Sequence, residues 1–489
     1  MFRRFPRILR AVPLLLALPL ASCGDESPPA PTSPPGDVNP AWPIRVAGGS
    51  EPALPFERIV LATIDTLRPD HLGCYGYPRP TSPFLDRMAE RGVRFTRAFS
   101  QISHTAPAHA TLLTGLVPSI HGLVANGMRL DERATTLATL FQRAGYSTVA
   151  FYNVSFLDGL ADSFEVHHAA PNTGERVLAR ALDWLSSPNR PERFFLWLHL
   201  YDPHHWNKPN LWPNEELEEL ARAAPRTDDE IYREIALLHG FDDPSVAFWD
   251  SVESGRVPGH DHASIARMLR AYDAQILKAD RLLERFHDAL EAQNLPGETL
   301  WIVTSDHGEG LGSHGYFGHT ARIYNEQLRV PWIVASSNGT IEPRVVDATI
   351  EQIDLFPTLA ELLGMSVQGL DPVNDGRSFL GLLTGGEAGP EREVWSERCL
   401  LEGEERLVSL QSAAWKLLVH GEGPMECFDL TNDPLELDPL PAEEAPELLA
   451  SFRSREARVD ARALQRGTGA QEAPPDEWLE ELKDLGYVR

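Results

Sequence analysis

Cysteine is scarce, at four in 489 residues. Beyond Cys23 only Cys74, Cys399 and Cys427 remain, which excludes a disulfide framework and gives no zinc-site spacing. Cys399 and Cys427 can pair in an oxidising compartment, but spacing does not decide it. After Cys23 no apolar run is long enough for a transmembrane helix. Runs of lysine or arginine are also lacking, and the formal net charge is −27. A surface that grips phosphate backbones needs basic clusters, so no nucleic-acid partner is expected. No internal repeat is present, which excludes a solenoid. What is left is a long acidic chain of ordinary apolar content, enough for a large domain and a smaller one.

The first residues read as a signal rather than as fold. Met1-Phe2-Arg3-Arg4 to Arg10 is basic, and Ala11 to Leu20 is apolar but too short to span a membrane. Leu20-Ala21-Ser22-Cys23 resembles a bacterial lipobox, which implies cleavage of residues 1–22 and lipidation of Cys23. An ordinary secretory signal is the alternative. Gly24 follows, not Asp, so the resemblance carries no inner-membrane retention signal. The expectation is an exported bacterial lipoprotein of the cell envelope, periplasmic or anchored to the outer membrane through Cys23. Residues 23–56 are rich in Pro, Ser, Ala and Gly, and read as a tether that cannot bury enough surface to order itself.

From Arg58 onward, apolar strand-like runs alternate with helical patterns, which predicts α/β architecture with a mainly parallel sheet. Arg58 to Ile64, Val93 to Phe99, Ser147 to Tyr152, Phe194 to Leu200, Thr299 to Thr304 and Val330 to Ala335 read as strands. Thr81 to Gly92, Thr135 to Gly145, Ser264 to Ala292 and Thr349 to Leu363 read as helical stretches. Trp206 to Pro258 is polar and irregular, an insertion that shapes a substrate mouth or a solvated loop. Gly385 to Glu393 looks like a linker. Short alternating strands beyond it (Arg406 to Leu410, Trp415 to His420, Glu426 to Asp429) predict a small antiparallel sheet, with a helix at Asp476 to Leu485.

Chemistry-bearing residues gather at the ends of the strand runs. Asp65 follows the first, where open α/β sheets place their ligands; it is a metal ligand or a turn cap. Ser103-His104-Thr105-Ala106-Pro107-Ala108-His109 opens a helical run, with the Thr105 hydroxyl near the helix N-terminus, where anions are favoured. Thr105 is a nucleophile or a simple cap. Tyr201-Asp202-Pro203-His204-His205 follows another strand, and Ser305-Asp306-His307-Gly308-Glu309 a third, with His314 and His319 behind it. Histidine suits both metal ligation and proton transfer near neutral pH. The grouping with Asp306 favours a site over scattered surface histidines.

These motifs, from about Arg58 to the C-terminus, resemble the sulfatase family of the alkaline phosphatase superfamily. The anchors are Ile64-Asp65-Thr66-Leu67-Arg68-Pro69-Asp70-His71, Thr105 to Gly115, Pro118 with His121-Gly122, and Asp202-Pro203-His204. Ser305 to Glu309, Val330-Pro331, Asp354 with Pro357-Thr358, and Phe428-Asp429-Leu430 complete them. The resemblance implies a large α/β/α sandwich with a mainly parallel central sheet, plus a small C-terminal antiparallel sheet and helix. Residues 57–385 would be the catalytic domain and 386–489 the small subdomain. It also implies a divalent metal ion, calcium or zinc, between Asp65, Asp306 and His307. Four positions depart from the family pattern. Thr105 stands where Cys or Ser is matured to formylglycine, His109 where an Arg is usual, and His319 where a Lys is usual. Thr66 replaces a second early Asp. The nitrogen-rich replacements lean toward zinc.

The reading is therefore a metal-dependent hydrolase of sulfate or phosphate esters, with Thr105 as nucleophile. His109 and the helix N-terminus would stabilise charge, and His204 or His319 would protonate the leaving oxygen. The substrate would be a small-molecule or glycan ester. Two alternatives stand beside it: a phosphodiesterase or phosphatase on the same scaffold, and a non-catalytic surface lipoprotein that binds sulfated or phosphorylated glycans.

Overall fold

The computed structural model describes residues 56–132, 134–170, 173–223, 262–365, 376–398, 406–421 and 423–466. The expected signal and tether, the insertion beyond Ala223, Cys399 and the helix expected at Asp476–Leu485 lie outside these residues.

The main sheet is built from β1 (Phe56–Ile64), β2 (Val93–Phe99), β3 (Ser147–Tyr152), β4 (Val166–Ala169), β5 (Phe194–Leu200) and β6 (Glu298–Thr304). After a short ladder of β7 (Gly310–Leu311) and β8 (Phe317–Gly318), β9 (Arg329–Ser336) and β10 (Arg344–Glu351) complete it. The order is β10-β2-β9-β6-β1-β5-β3-β4. β1 is apolar along nearly its whole length, as a strand covered on both faces must be. β5 and β6 flank it in parallel, with Ile64 opposite Leu200 and Thr63 opposite Thr304. The three strands thus end at one level, and that level carries the site. β9 alone runs antiparallel, against β2 and β6.

Alternation along β1 makes the layers. Val60, Ala62 and Ile64 pack into one core with the helices Pro83–Arg91, Gly174–Leu185 and His262–Glu291. Ile59 and Leu61 belong to the other core, with the helices Thr105–Thr114, Leu137–Arg143 and Leu355–Leu362. Side chains in a strand point alternately to opposite faces, so one apolar run feeds both cores. This is the expected α/β/α sandwich. Among the described residues no helix is long and apolar enough to cross a membrane.

The small antiparallel sheet follows as β11 (Val394–Arg398), β12 (Leu407–Gln411), β13 (Trp415–His420) and β14 (Met425–Asp429). Its Trp395, Val408, Leu410 and Leu417 belong to the same core as the Thr105 helix. A buried charge cluster fastens the joint: the Arg392 guanidinium meets Glu351 at the end of β10 and Asp354, the latter at 2.6 Å. Trp395 is fully buried, with the ring of Phe452, from the helix Pro446–Arg466, tilted against it at 5.7 Å between centroids. Trp395→Ala is expected to cost about 3–5 kcal/mol of global stability, read by urea unfolding, because the cavity opens in the shared core. A loss below about 1 kcal/mol would show that the small sheet stands apart.

Several elements differ from expectation. Thr349–Glu351, assigned to a helical stretch by pattern, end β10 instead, and the helix is confined to Leu355–Leu362. β10 is an edge strand with Val345 61% exposed, so it lacks the apolar run that marks its central neighbours. β4, another edge, is hidden from pattern reading for the same reason. Cys427 is a buried free thiol.

Candidate active site

The β1 tip is built first. Asp65 donates its N–H to the Leu200 carbonyl at 2.8 Å, continuing the ladder with β5. Thr66 then takes a left-handed backbone, φ 54°, a costly conformation for a β-branched residue. Three bonds hold it there. Its N–H donates to Asp306 Oδ1 (3.1 Å), its hydroxyl donates to the Asp65 carbonyl (2.8 Å), and its carbonyl accepts the Tyr272 hydroxyl (2.6 Å). The long helix His262–Glu291 thereby fixes the turn that aims Asp65.

Asp306 follows β6. Its Oδ1 accepts from Thr66 N–H, His307 N–H (2.8 Å) and the Ser305 hydroxyl (3.2 Å). That leaves Oδ2 facing His307 Nε2 at 3.3 Å. His307 Nδ1 donates to the Gly308 carbonyl at 2.8 Å, which leaves Nε2 unprotonated as a lone-pair donor. Gly308 is required here: a Cβ would lie 2.1 Å from the Glu326 carbonyl oxygen. His199, on β5, reaches Asp65 Oδ2 with Nε2 at 3.3 Å and orients it.

Four buried polar atoms with no hydrogen-bond partner result: Asp65 Oδ1, Asp306 Oδ2, His307 Nε2 and Thr105 Oγ1. Ligand atoms of Asp65, Asp306 and His307 lie within 4.8 Å of one another. Burial, and then the neighbouring Asp306 carboxylate, push the Asp65 carboxyl well above its usual range. Burial holds the His307 imidazole down at about 4. Two crowded carboxylates and a neutral imidazole nitrogen fit a divalent cation, which would relieve all three.

The helix Thr105–Thr114 is buried on every side. Its N-cap is His104, not Thr105, and the His104 side chain makes no cap bond. The reading of Thr105 as a cap therefore fails: its hydroxyl bonds to no backbone group. Asn126 Oδ1 accepts the Ala106 N–H at 2.8 Å. His109 lies one turn below. Its Nδ1 donates to the Thr105 carbonyl at 2.7 Å, and its Nε2 accepts from the Thr63 hydroxyl at 3.0 Å. Trp197 Nε1 donates in turn to Thr63 (3.0 Å). Both nitrogens of His109 are committed to the protein, so its contact with Thr105 is through the backbone.

His319 and His204 stand on the other side. The His319 ring lies 4.5 Å from that of His307 and 4.9 Å edge-on from that of His204, which stacks on Tyr201 at 4.3 Å. Glu309 accepts from His319 Nδ1 at 3.2 Å and from Trp206 Nε1 at 2.8 Å. Burial keeps His104 and His204 well below the ordinary imidazole pKa, so both are neutral at pH 7.

The structure brings Asp65, Asp306, His307 and Thr105 to one point, with His109 beneath and His204 and His319 alongside. Sequence reasoning missed His199, Glu309 and Tyr272. His199 had a signal: it is the one polar side chain in an otherwise apolar and aromatic strand. Tyr272 had none, since it sits on a helix more than two hundred residues from its partner. Glu309→Gln is expected to lower ester hydrolysis about 10–100-fold, because His319 loses the carboxylate that sets its tautomer. Steady-state kcat measures it.

A model of the sulfatase family matches residues 57–365, a span that holds every residue of the site. The chain is 26% identical over 467 residues to a choline-sulfatase of Rhizobium meliloti (strain 1021), covering 83% of this chain and 87% of that protein. It is 24% identical over 358 residues to a Δ4,5-hexuronate-2-O-sulfatase of Bacteroides thetaiotaomicron, covering 66% and 72%. Its fold is similar to the crystal structure of a phosphonate monoester hydrolase of Agrobacterium radiobacter, with a TM-score of 0.62, 20% identity, and 83% and 96% of the two chains covered. On the matched span and the shared fold, this chain belongs to the sulfatase family of ester hydrolases.

Proposed function

We propose that the protein hydrolyses sulfate or phosphate esters, with Thr105 as nucleophile and a divalent cation held by Asp65, Asp306 and His307. The observation that carries this is the buried Thr105 hydroxyl lying against the Asp65 carboxyl, whose ligand atoms gather with those of Asp306 and His307 within 4.8 Å. When bound, such a cation lowers the pKa of a nearby hydroxyl and polarises a nonbridging oxygen of the ester. The mixed oxygen and nitrogen donors suit zinc better than calcium, which prefers oxygen alone.

The chain's own residues do the rest. His109 grips the Thr105 carbonyl and fixes the first helical turn. Thr105 Oγ gives its proton to the neighbouring Asp65 carboxylate and forms the bond to sulfur or phosphorus as the bond to the leaving oxygen breaks. The helix N-terminus favours the charge that develops there. The protonated form of His319, its Nδ1–H held by Glu309, gives the leaving oxygen its Nε2 proton, with His204 beside it. Water then cleaves the Thr105 ester, because threonine offers a single hydroxyl and cannot clear the acid itself.

That last feature favours a second reading, in which the preferred substrate is a phosphate or phosphonate ester. The likeness in fold to a phosphonate monoester hydrolase supports it. The name of the hexuronate sulfatase relative supports a sulfated glycan instead. A panel of 4-nitrophenyl sulfate, phosphate and phosphonate esters, assayed with zinc or calcium restored, separates them. A tenfold preference, about 1.4 kcal/mol, assigns the class. No turnover of any ester by the metal-loaded protein would instead favour the glycan-binding lipoprotein. Export and anchoring through Cys23 belong to the same proposal, and the mass of the mature N-terminal peptide tests them.

A further inference from the structure

Beside the catalytic residues runs a cleft of about 270 Å³, lined by Arg322, Arg398, Tyr316, Tyr324, His420 and apolar side chains, with no acidic residue in its lining among the described residues. In a chain of net charge −27 this local sign reversal is notable. The Arg322 guanidinium lies 5.9 Å from the Tyr316 ring and 6.0 Å from the Tyr324 ring. It makes no ion pair among the described residues. A nearby carboxylate, Glu426, is taken by His420 at 3.2 Å and by the Tyr324 hydroxyl at 3.4 Å. A half-buried guanidinium resting on aromatic faces is held in place, weakly hydrated and able to bind an oxyanion through two parallel N–H groups.

Three contacts tie the cleft to Thr105. Ser103 donates its hydroxyl to the Arg322 carbonyl at 2.9 Å. Tyr316 donates its own to the His319 carbonyl at 2.8 Å. The Arg398 charge acts on the His104 ring, next to Thr105.

We propose that this cleft, through Arg322, binds a second anionic group of the substrate, a sulfate or carboxylate carried beyond the ester that is cleaved. The inference rests on the hydrolytic reading above and selects polyanionic substrates within it. A positive cleft in an acidic molecule concentrates such anions and rejects neutral ones.

The test is calorimetric binding to metal-loaded Thr105→Ala protein, which cannot turn the probes over. The probes are glucosamine 6-sulfate, glucosamine 6-phosphate and the N-sulfated form of each. The expected result is tenfold or tighter binding of at least one N-sulfated form over its parent, weakening as salt rises. Arg322→Gln, placed in the same background, should remove that gain and leave binding of the parents unchanged; Arg322→Lys should keep part of it. Arg322→Gln alone should hydrolyse 4-nitrophenyl esters at the unmodified rate. No gain from the second anion, or a gain that survives Arg322→Gln, overturns the proposal. Hydrolysis of 4-nitrophenyl esters by the unmodified protein is measured apart. If that fails while Arg322-dependent binding holds, the hydrolytic reading falls and the anion site stands.

Discussion

Thr105→Ala is expected to reduce ester hydrolysis by about 10⁴-fold or more, the scale at which a covalent nucleophile is lost. The same change should leave stability within about 1 kcal/mol of the unmodified protein. The two halves belong together. Thr105 is fully buried, and its hydroxyl makes no hydrogen bond of good geometry among the described residues, though it lies against the Asp65 carboxyl. Removing it gives up at most that one contact, and alanine is the better helix former at a first-turn position. Thr105→Ser keeps the hydroxyl and should stay within about 100-fold of the original rate, since only a methyl group that stiffens the rotamer is lost. Measuring kcat/KM beside urea unfolding separates chemistry from folding. A large stability loss with a modest rate loss would return Thr105 to a structural role.

Asp306→Asn is expected to abolish hydrolysis while stabilising the metal-free protein by about 1–3 kcal/mol. Asp306 Oδ1 is saturated by backbone N–H groups and the Ser305 hydroxyl. An amide can retain those acceptor bonds. Its nitrogen, placed at the Oδ2 position, would donate to His307 Nε2, now 3.3 Å away without a partner. The repulsion that raises Asp65 would disappear with the charge. The cation would lose its anionic ligand, and with it the site's chemistry. Chelation of the unmodified protein should mimic the activity loss and lower the thermal midpoint. Ligand present at a hundred times its Kd adds about 2.7 kcal/mol, which the variant should not regain on adding zinc or calcium. Thermal unfolding with and without chelator reads both effects. Equal stability of the two metal-free proteins would mean that Asp65 and Asp306 do not repel.

The central strands were legible because their runs are mainly apolar and buried: β1, β5 and β6 read directly from Arg58–Ile64, Phe194–Leu200 and Thr299–Thr304. Legibility fell at the edges. β4 and β10 meet solvent and carry mixed residues, so pattern assigned part of β10 to a helix. The proposed metal ligands were legible because each stands just past a strand run, where the topology gathers strand ends. The support around them was not. His199 acts across strands on Asp65, Tyr272 across the whole domain on Thr66, and Glu309 on a histidine ten residues on. Pairings of that kind are set by folding rather than by spacing. His109 shows the converse: its position was found, but only the fold shows that both its nitrogens serve Thr105 and Thr63.

The most direct test is an acid quench of the metal-loaded protein during turnover of its best ester, followed by peptide mass mapping. A peptide containing Thr105 should carry one added sulfuryl or phosphoryl group, at Thr105 alone. Steady turnover with Thr105 unmodified and another residue carrying the group would contradict a threonine nucleophile.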